Sequence, residues 1–482
     1  MVITKAYLII DIGTGNARVA VASPAGELLS IKRENVQYES DDRYEESIYF
    51  DPDTLWNEIL RLSALAIEEA GPVQIEAITA TSQREGIVII DADGHSVLGM
   101  PNIDHRGRAW EAELTDKDWV YQMTGRYPTS LFSAFKLVGL RKVYPDIFKD
   151  IACFMSISDW VQYKFSGVCA YEHSQASETL LYDVAKRDWS HTLFAQFDLP
   201  ASLVPPLKAA GSILGDILPD LAQSMNIHAG AKVIVGGGDT QLAIKSIAPT
   251  SNDVVIVSGT TTPIIKIVED YVLDADQRTW TSRHIDADSF ILEANAGVTG
   301  LNYQRLKEIF YPNEGYDVIE KELESATYSQ CVASLGSLIA DEDQPLTKGG
   351  FIFNAPVSHQ LTRGSFVFAI LWDIACSIYE NYKFLSDVSP HHESYIWACG
   401  GGMESRKLRQ FIANLFGKSI KIRNTFRQAS VLGGVLVCNE ALGLANFEPV
   451  LLEEIEPQDH QQFEQLYQEW KNARRTFKQV TA

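Results

Sequence analysis

The residues of this sequence that could do chemistry sit in four short polar turns, each following an apolar run. Asp239 ends the segment Gly236-Gly237-Gly238-Asp239, which follows the run Lys232–Val235. Three glycines at a strand end weaken a fold unless another group must approach the backbone closely. The spacing Thr240, Gln241, Leu242, Ala243, Ile244 predicts a helix that opens near Asp239. A carboxylate placed there can take the proton of a hydroxyl and help position a metal; alternatively it is an N-cap. The turn Asp11-Ile12-Gly13-Thr14-Gly15-Asn16 closes an apolar strand at Tyr7–Ile10. Gly13 and Gly15 let backbone N–H groups approach an anion, Thr14 and Asn16 add donors, and Arg18 adds positive charge. Asp11 stands where a carboxylate holds Mg²⁺, usually through water. Ser258-Gly259-Thr260-Thr261 is a second clamp of the same kind. Gly400-Gly401-Gly402-Met403-Glu404-Ser405 offers bare backbone on which a base and ribose can lie. Phosphoryl transfer requires mainly positioning and charge neutralisation. Two anion-binding turns, a metal carboxylate, a base and a nucleotide ledge are the parts it needs. GxxxxGK[ST], GxGxxG and HExxH are all missing, which argues against a Walker loop, a dinucleotide fingerprint and a zinc site.

These turns require strands to carry them. The unit strand, Gly-Thr turn, strand occurs twice, around residues 7–22 and again around Val254–Val257, Ser258–Thr262 and Pro263–Val268. A third short strand is expected at Glu27–Ile31 after the turn Ser23-Pro24-Ala25-Gly26. Strands alternating with helical patterns predict two related α/β halves, 1–247 and 248–482. The boundary lies near 245–253, and the absence of a low-complexity linker leaves a cleft between the halves. A polar cluster in the first half could hold a polyhydroxylated molecule. It comprises Thr81-Ser82-Gln83-Arg84-Glu85-Gly86, Asn102-Ile103-Asp104-His105-Arg106 and Ser156-Ile157-Ser158-Asp159-Trp160. Surface salt bridging is the competing account of it. Leu408, Ile412 and Leu415 predict a helix stopped at Gly417. Phe463, Leu466, Tyr467, Trp470 and Phe477 predict a docked helix over about 460–480. His391-His392 reads as a solvated loop.

Composition narrows the classes. The chain has 482 residues, 46% hydrophobic and 22% charged, enough apolar material for two or three domains. A net charge of −22 disfavours a nucleic-acid surface. The six cysteines are scattered and read as reduced thiols, which points to the cytoplasm. The short N-terminal apolar run is a buried strand rather than a signal segment, and no membrane span is expected.

The order of these motifs, from Asp11 to about Gly443, resembles the FGGY family of carbohydrate kinases. The resemblance includes the late segment Gly400-Gly401-Gly402-Met403-Glu404-Ser405-Arg406-Lys407-Leu408-Arg409-Gln410. It implies two related actin-like, Hsp70-like (ribonuclease H-like) ATPase domains, with ATP and substrate in the cleft. It implies further that Asp239 is the general base, that Gly13, Thr14 and Thr260 line the phosphates, and that Gly400, Gly401 and Ser405 lie near the nucleotide. Gly15, Asn16, Arg18, Gly259 and Thr261 complete the expected nucleotide contacts. Ser82, Gln83, Arg84, Glu85, Asp104 and Asp239 are the expected substrate contacts, and Asp11 and Asp239 the expected Mg²⁺ contacts. Within the family the sequence is most similar to autoinducer-2 kinases, which act on a linear five-carbon dihydroxy-diketone. The similarity is carried by Ser82–Val88, Asn102–Arg106, Ile157–Trp160 and Gly236–Leu242. Glycerol kinases share Gln83-Arg84-Glu85, while xylulokinases show Gln-Met-His-Gly there. A kinase for a pentulose, another ketose or glycerol is therefore the rival reading, followed by a non-kinase actin-like ATPase and a regulator without catalysis. Departures from the family pattern are Asn414 and Gln428, where acids are common, Tyr303 in place of tryptophan, and the poorly matching stretch Ala333–Pro390. The expected partners are a small sugar or sugar-like molecule and a second copy of the chain.

Overall fold

A computed structural model of the chain describes residues 4–286, 288–324, 330–340, 346–458 and 461–481. In the first half, β1 (Thr4–Ile12), β2 (Asn16–Ala22) and β3 (Leu28–Asn35) form an antiparallel meander. β4 (Val73–Ser82) joins β1 in parallel, and β5 (Lys232–Gly238) joins β4 in parallel. The second half repeats this path. β6 (Val254–Val257), β7 (Thr261–Val268) and β8 (Phe290–Val298) form the meander. β9 (Tyr395–Cys399) pairs in parallel with β6, and β10 (Ser419–Arg423) with β9. The expected repeat is thus a complete five-strand unit, extended at the edges by Ile213–Asp216 in one sheet and by Trp280–Arg283 and Leu451–Ile455 in the other. Ala6–Ile12 is buried throughout, because both faces of the sheet are covered; this is why Tyr7–Ile10 reads as an unbroken apolar run. Pro263 is tolerated inside β7 because the register slips between Thr261 and Pro263, where no ladder N–H is required.

Two helices tie the halves together by exchange. α1 (Asp239–Ile247) grows from the end of β5, yet its Ile244 packs with Ile265, Ile267 and Ile291 of the second sheet. Chain order places α4 (Ala429–Ala441) in the second half, but its Val431, Leu432 and Val435 pack with Tyr7, Ile9, Ala77 and Ile234 of the first sheet. The buried Tyr7 hydroxyl donates to Asn439 Oδ1 at 2.8 Å. Each fully buried aliphatic chain contributes about 1.5–3 kcal/mol, so these crossed helices make a firm floor beneath the cleft.

The stretch from Ala333 to Pro390 contains α2 (Arg363–Val388), a 26-residue helix buried along much of its length; residues 341–345 lie outside the described set. α3 (Arg406–Phe416) ends at Gly417, in the left-handed conformation at φ 59°, as its sequence predicts. The expected tail helix is α5 (Gln461–Thr481); His460, where the expectation began, is outside the described residues. Leu466, Tyr467 and Trp470 are buried, and Trp470 Nε1 donates to Asp373 Oδ1 at 2.7 Å. Burial pushes the Asp373 carboxyl up to about 6 despite that donor. His391 stands in a loop against the Tyr382 hydroxyl. All six cysteines are free thiols. Among the described residues no helix is long and apolar enough to cross a membrane.

Candidate active site

A cavity of about 600 Å³ opens where the two sheets face each other. The β1–β2 turn supplies Asp11, Gly13, Thr14, Gly15, Asn16 and Arg18. The β6–β7 turn supplies Ser258, Gly259, Thr260 and Thr261. The two turns are built alike: Gly13 N donates to Asn16 O and Gly259 N to Thr261 O, both at 2.9 Å. Gly400 and Gly401, after β9, line the same space. Gly400 has a φ of 94°, and a Cβ there would lie 2.3 Å from Ser258 O, so the third glycine turn is pressed onto the second.

Asp239 is the first residue of α1 and also faces this cavity. The glycines before it stay in β5 and are not a free loop, because the sheet is tight there. A Cβ on Gly236 would lie 1.9 Å from Ala80 O. Thr240 N donates to Asp239 Oδ1 at 2.6 Å. Burial pushes the Asp239 carboxyl up to about 6; the Arg84 guanidinium opposes this and the Asp11 carboxylate adds to it. Asp11 forms an ion pair with Arg18 and accepts from Ser430 Oγ at 2.6 Å, both through Oδ2. Arg18 Nη1 also donates to Gln428 Oε1 at 3.3 Å, so the amide at this departure from the family pattern receives the cation directly.

The same cavity is lined by Gln83, Arg84, Glu85, Asn102 and His105, with Leu131 and Trp280 as apolar walls. Gln83 Oε1 accepts from Asn102 N at 2.9 Å, and Thr14 Oγ1 donates to Asn102 Oδ1 at 3.0 Å. Arg84 forms two parallel hydrogen bonds to Glu293, at 2.5 and 2.9 Å. Burial alone would raise Glu293; the Arg84 guanidinium outweighs it and holds the carboxyl below its usual range. Glu85 takes a left-handed φ of 63°. Burial pushes its carboxyl up to about 8, with Arg84 opposing and Glu178 adding. Burial lowers His105 to about 4, which leaves its ring neutral at neutral pH.

Three residues expected at the site do not line the cavity. Ser82 is the last residue of β4, a strand that extends two residues beyond its expected end at Ala80; its hydroxyl accepts from Ser158 N and Gln175 Nε2, both at 3.0 Å. The Asp104 carboxylate turns inward to Ile48 N at 2.9 Å and Arg106 Nε at 2.8 Å. Ser405 caps α3, accepting from Leu408 N at 3.3 Å. Conversely, Trp280, Asn295, Arg427 and Ser430 reach the cavity without having been singled out, and Glu293 stands behind Arg84. For Glu293 and Asn295 a signal exists: they are the polar interruptions on one face of the apolar strand Phe290–Val298.

The comparisons agree with this architecture. Residues 6–245 match the N-terminal domain of the FGGY family of carbohydrate kinases, and residues 335–442 match its C-terminal domain. The Bacillus subtilis (strain 168) protein named "Putative sugar kinase YoaC" is 46% identical, covering 98% of this chain and 97% of its own length. "Autoinducer-2 kinase" of Escherichia coli (strain K12) is 25% identical, covering 92% of this chain and 87% of its own length. The glycerol kinase of Plasmodium falciparum with ADP superposes with a TM-score of 0.83 at 17% identity, over 98% of both chains. Ligand-bound xylulose kinase from Lactobacillus acidophilus gives a TM-score of 0.83 at 16% identity, also over 98% of both. At such identities these structures speak to the fold, which is the two-domain actin-like ATPase fold. The chain belongs to the FGGY family of carbohydrate kinases and is an ATP-dependent sugar kinase.

Proposed function

We propose that this kinase transfers the γ-phosphoryl group of ATP to a hydroxyl of a short, linear sugar-like acceptor, 4,5-dihydroxypentane-2,3-dione, the precursor of the autoinducer-2 signal. The observation that carries the reading is that the Asp239 carboxylate shares one cavity with both Gly-Thr turns and with Gln83, Arg84 and Glu85. In this reading the halves 1–247 and 248–482 act as two domains. Backbone N–H groups and hydroxyls of Gly13–Asn16 and Gly259–Thr261 hold the phosphates, with Arg18 beside them. Gly400 and Gly401 form the nucleotide ledge. The acceptor lies against Gln83, Arg84 and Glu85. Asp239 takes the hydroxyl proton on its carboxylate as the acceptor oxygen bonds to the γ-phosphorus and the bond to the ADP oxygen breaks. With its carboxyl near 6, Asp239 is largely ionised at neutral pH and yet remains a useful base.

The donor set suits Mg²⁺. Asp11 and Asp239 present carboxylates to the cavity, and the bonds that Asp11 makes are concentrated on Oδ2. These two residues would hold the ion, which supplies charge neutralisation of the phosphates when bound. The support for this acceptor over other sugars is the similarity to autoinducer-2 kinases across most of the chain. The test is an ADP-release assay across the dihydroxy-diketone, xylulose, other ketoses and glycerol, with product masses read by spectrometry. A kcat/KM highest for xylulose or glycerol would overturn the assignment.

A further inference from the structure

We propose that Glu293 is a specificity-determining positioning residue: by occupying both Nη atoms of Arg84, it removes the free positive charge from the acceptor end of the cavity, so that uncharged hydroxy and carbonyl compounds are accepted and sugar acids are rejected. The inference rests on the reading that the Gln83–Glu85 end takes the acceptor.

Among the described residues lining the cavity, the arginines and lysines are Arg18, Arg84 and Arg427. Arg18 follows the β1–β2 turn and is bound to Asp11. Arg427 precedes Ala429 and Ser430, the side of the cavity where Ser430 meets Asp11. Arg84 is therefore the cation left at the acceptor end. A free guanidinium there would recognise a carboxylate through its two-pronged geometry. Both prongs are instead taken, at 2.5 and 2.9 Å, by a side chain 209 residues away on β8, and both partners are buried. Glu178 lies 3.6 Å from the same guanidinium and is paired with Arg126. The buried Lys136 ammonium is spent on the carbonyls of Asn102, Asp104 and Leu131, and the buried Arg106 is paired with Asp104. The His105 ring is neutral. An incoming carboxylate would thus lose its hydration without gaining a counter-ion, and it would face the Asp239 carboxylate. A hydroxyl or carbonyl loses less on entry and finds Gln83, Glu85 and Asn102 as partners.

The test compares wild type, Glu293→Gln and the double variant R84Q/E293Q. The readouts are ADP release with the dihydroxy-diketone, xylulose, glycerol and gluconate, and a melting curve for each protein. Glu293→Gln keeps the size of the side chain and one acceptor oxygen but frees the charge of Arg84. It should raise the gluconate-to-neutral ratio of kcat/KM at least about tenfold, mainly through a lower gluconate KM. R84Q/E293Q exchanges a buried ion pair for neutral isosteres and should fold, returning the ratio to its wild-type value. If Glu293→Gln alone does not melt cooperatively, Glu293→Asp decides: it keeps the buried charge, but its shorter reach cannot fill both prongs of Arg84, so the gluconate-to-neutral ratio should rise, and an unmoved ratio overturns the inference. A folded Glu293→Gln with an unmoved ratio overturns it as well, as does a wild type that prefers gluconate. A wild type active on none of the uncharged compounds undoes the acceptor reading itself; a wild type active on them, with no change in Glu293→Gln, undoes only the role of Glu293.

Discussion

Replacing Asp239 with asparagine should make the enzyme slower and the fold sturdier at the same time. The side chain keeps its size and keeps Oδ1 as acceptor for Thr240 N. What is lost is the ability to bind a proton. A positioned general base contributes about a hundredfold to ten-thousandfold, so kcat should fall by at least about a hundredfold while the KM for ATP stays within about threefold. Stability should move the other way. The Asp239 carboxyl is raised from its usual 3.8 to about 6, because burial disfavours the charged form. A raised acid contributes fully below the unfolded pKa, and its contribution is lost as pH climbs through the folded one, here between about 4 and 6. The shift corresponds to at most about 3 kcal/mol. Partial exposure of the side chain reduces this to about 1–2 kcal/mol, and loss of a negative charge at the start of α1 returns about 0.5 kcal/mol. The variant should therefore be about 1 kcal/mol more stable than wild type at pH 7.5 and equal to it at pH 4. Wild-type kcat/KM should drop about tenfold per pH unit below about 6, and the residual rate of the variant should lack that limb. The assay is coupled ADP release from pH 5 to 8, alongside urea melts at both ends of the range. Near-wild-type turnover in the variant, or a flat wild-type profile, would refute Asp239 as the base.

Other outcomes follow from the same geometry. Gly236→Ala places a Cβ 1.9 Å from Ala80 O, and since backbone cannot yield there cheaply, soluble yield and melting temperature should fall sharply, by about 3 kcal/mol in urea melts. Ser430→Ala removes a donor to Asp11 at 2.6 Å; the KM for ATP should rise about threefold to tenfold in ADP-release kinetics, with the acceptor KM unchanged. Trp470→Ala empties a buried site and takes the donor from Asp373 Oδ1, so the urea midpoint should correspond to a loss of about 3–5 kcal/mol. A thiol reagent should label Cys169, and more slowly Cys153, in the native protein, and all six cysteines only in denaturant, because the other four are buried.

What could be read from the sequence was whatever neighbouring residues decide among themselves. Asp11, Gly13 and Thr14 specify a tight turn after a strand whichever protein holds them, and Ser258–Thr261 specifies another. The apolar runs at Tyr7–Ile10 and Val254–Val257 mark strands covered on both faces, and Gly417 stops its helix in the left-handed conformation only a glycine adopts cheaply. Side-chain direction could not be read in this way. Ser82 and Gln83 are adjacent, but β4 continues through Ser82, so the register with Ile12 and Gly238 turns Ser82 inward and leaves Gln83 for the cavity. Asp104 and His105 divide in the same manner around Arg106. The placement of α4 on the first sheet and the meeting of Arg84 with Glu293 depend on contacts between segments some two hundred or more residues apart, and α1 crosses to the second sheet through Ile244. Local sequence therefore determined the turns, the repeat and the reactive groups. Tertiary packing decided which groups face one another and which charges are already neutralised, because burial and electrostatics depend on distances through space that chain order does not encode.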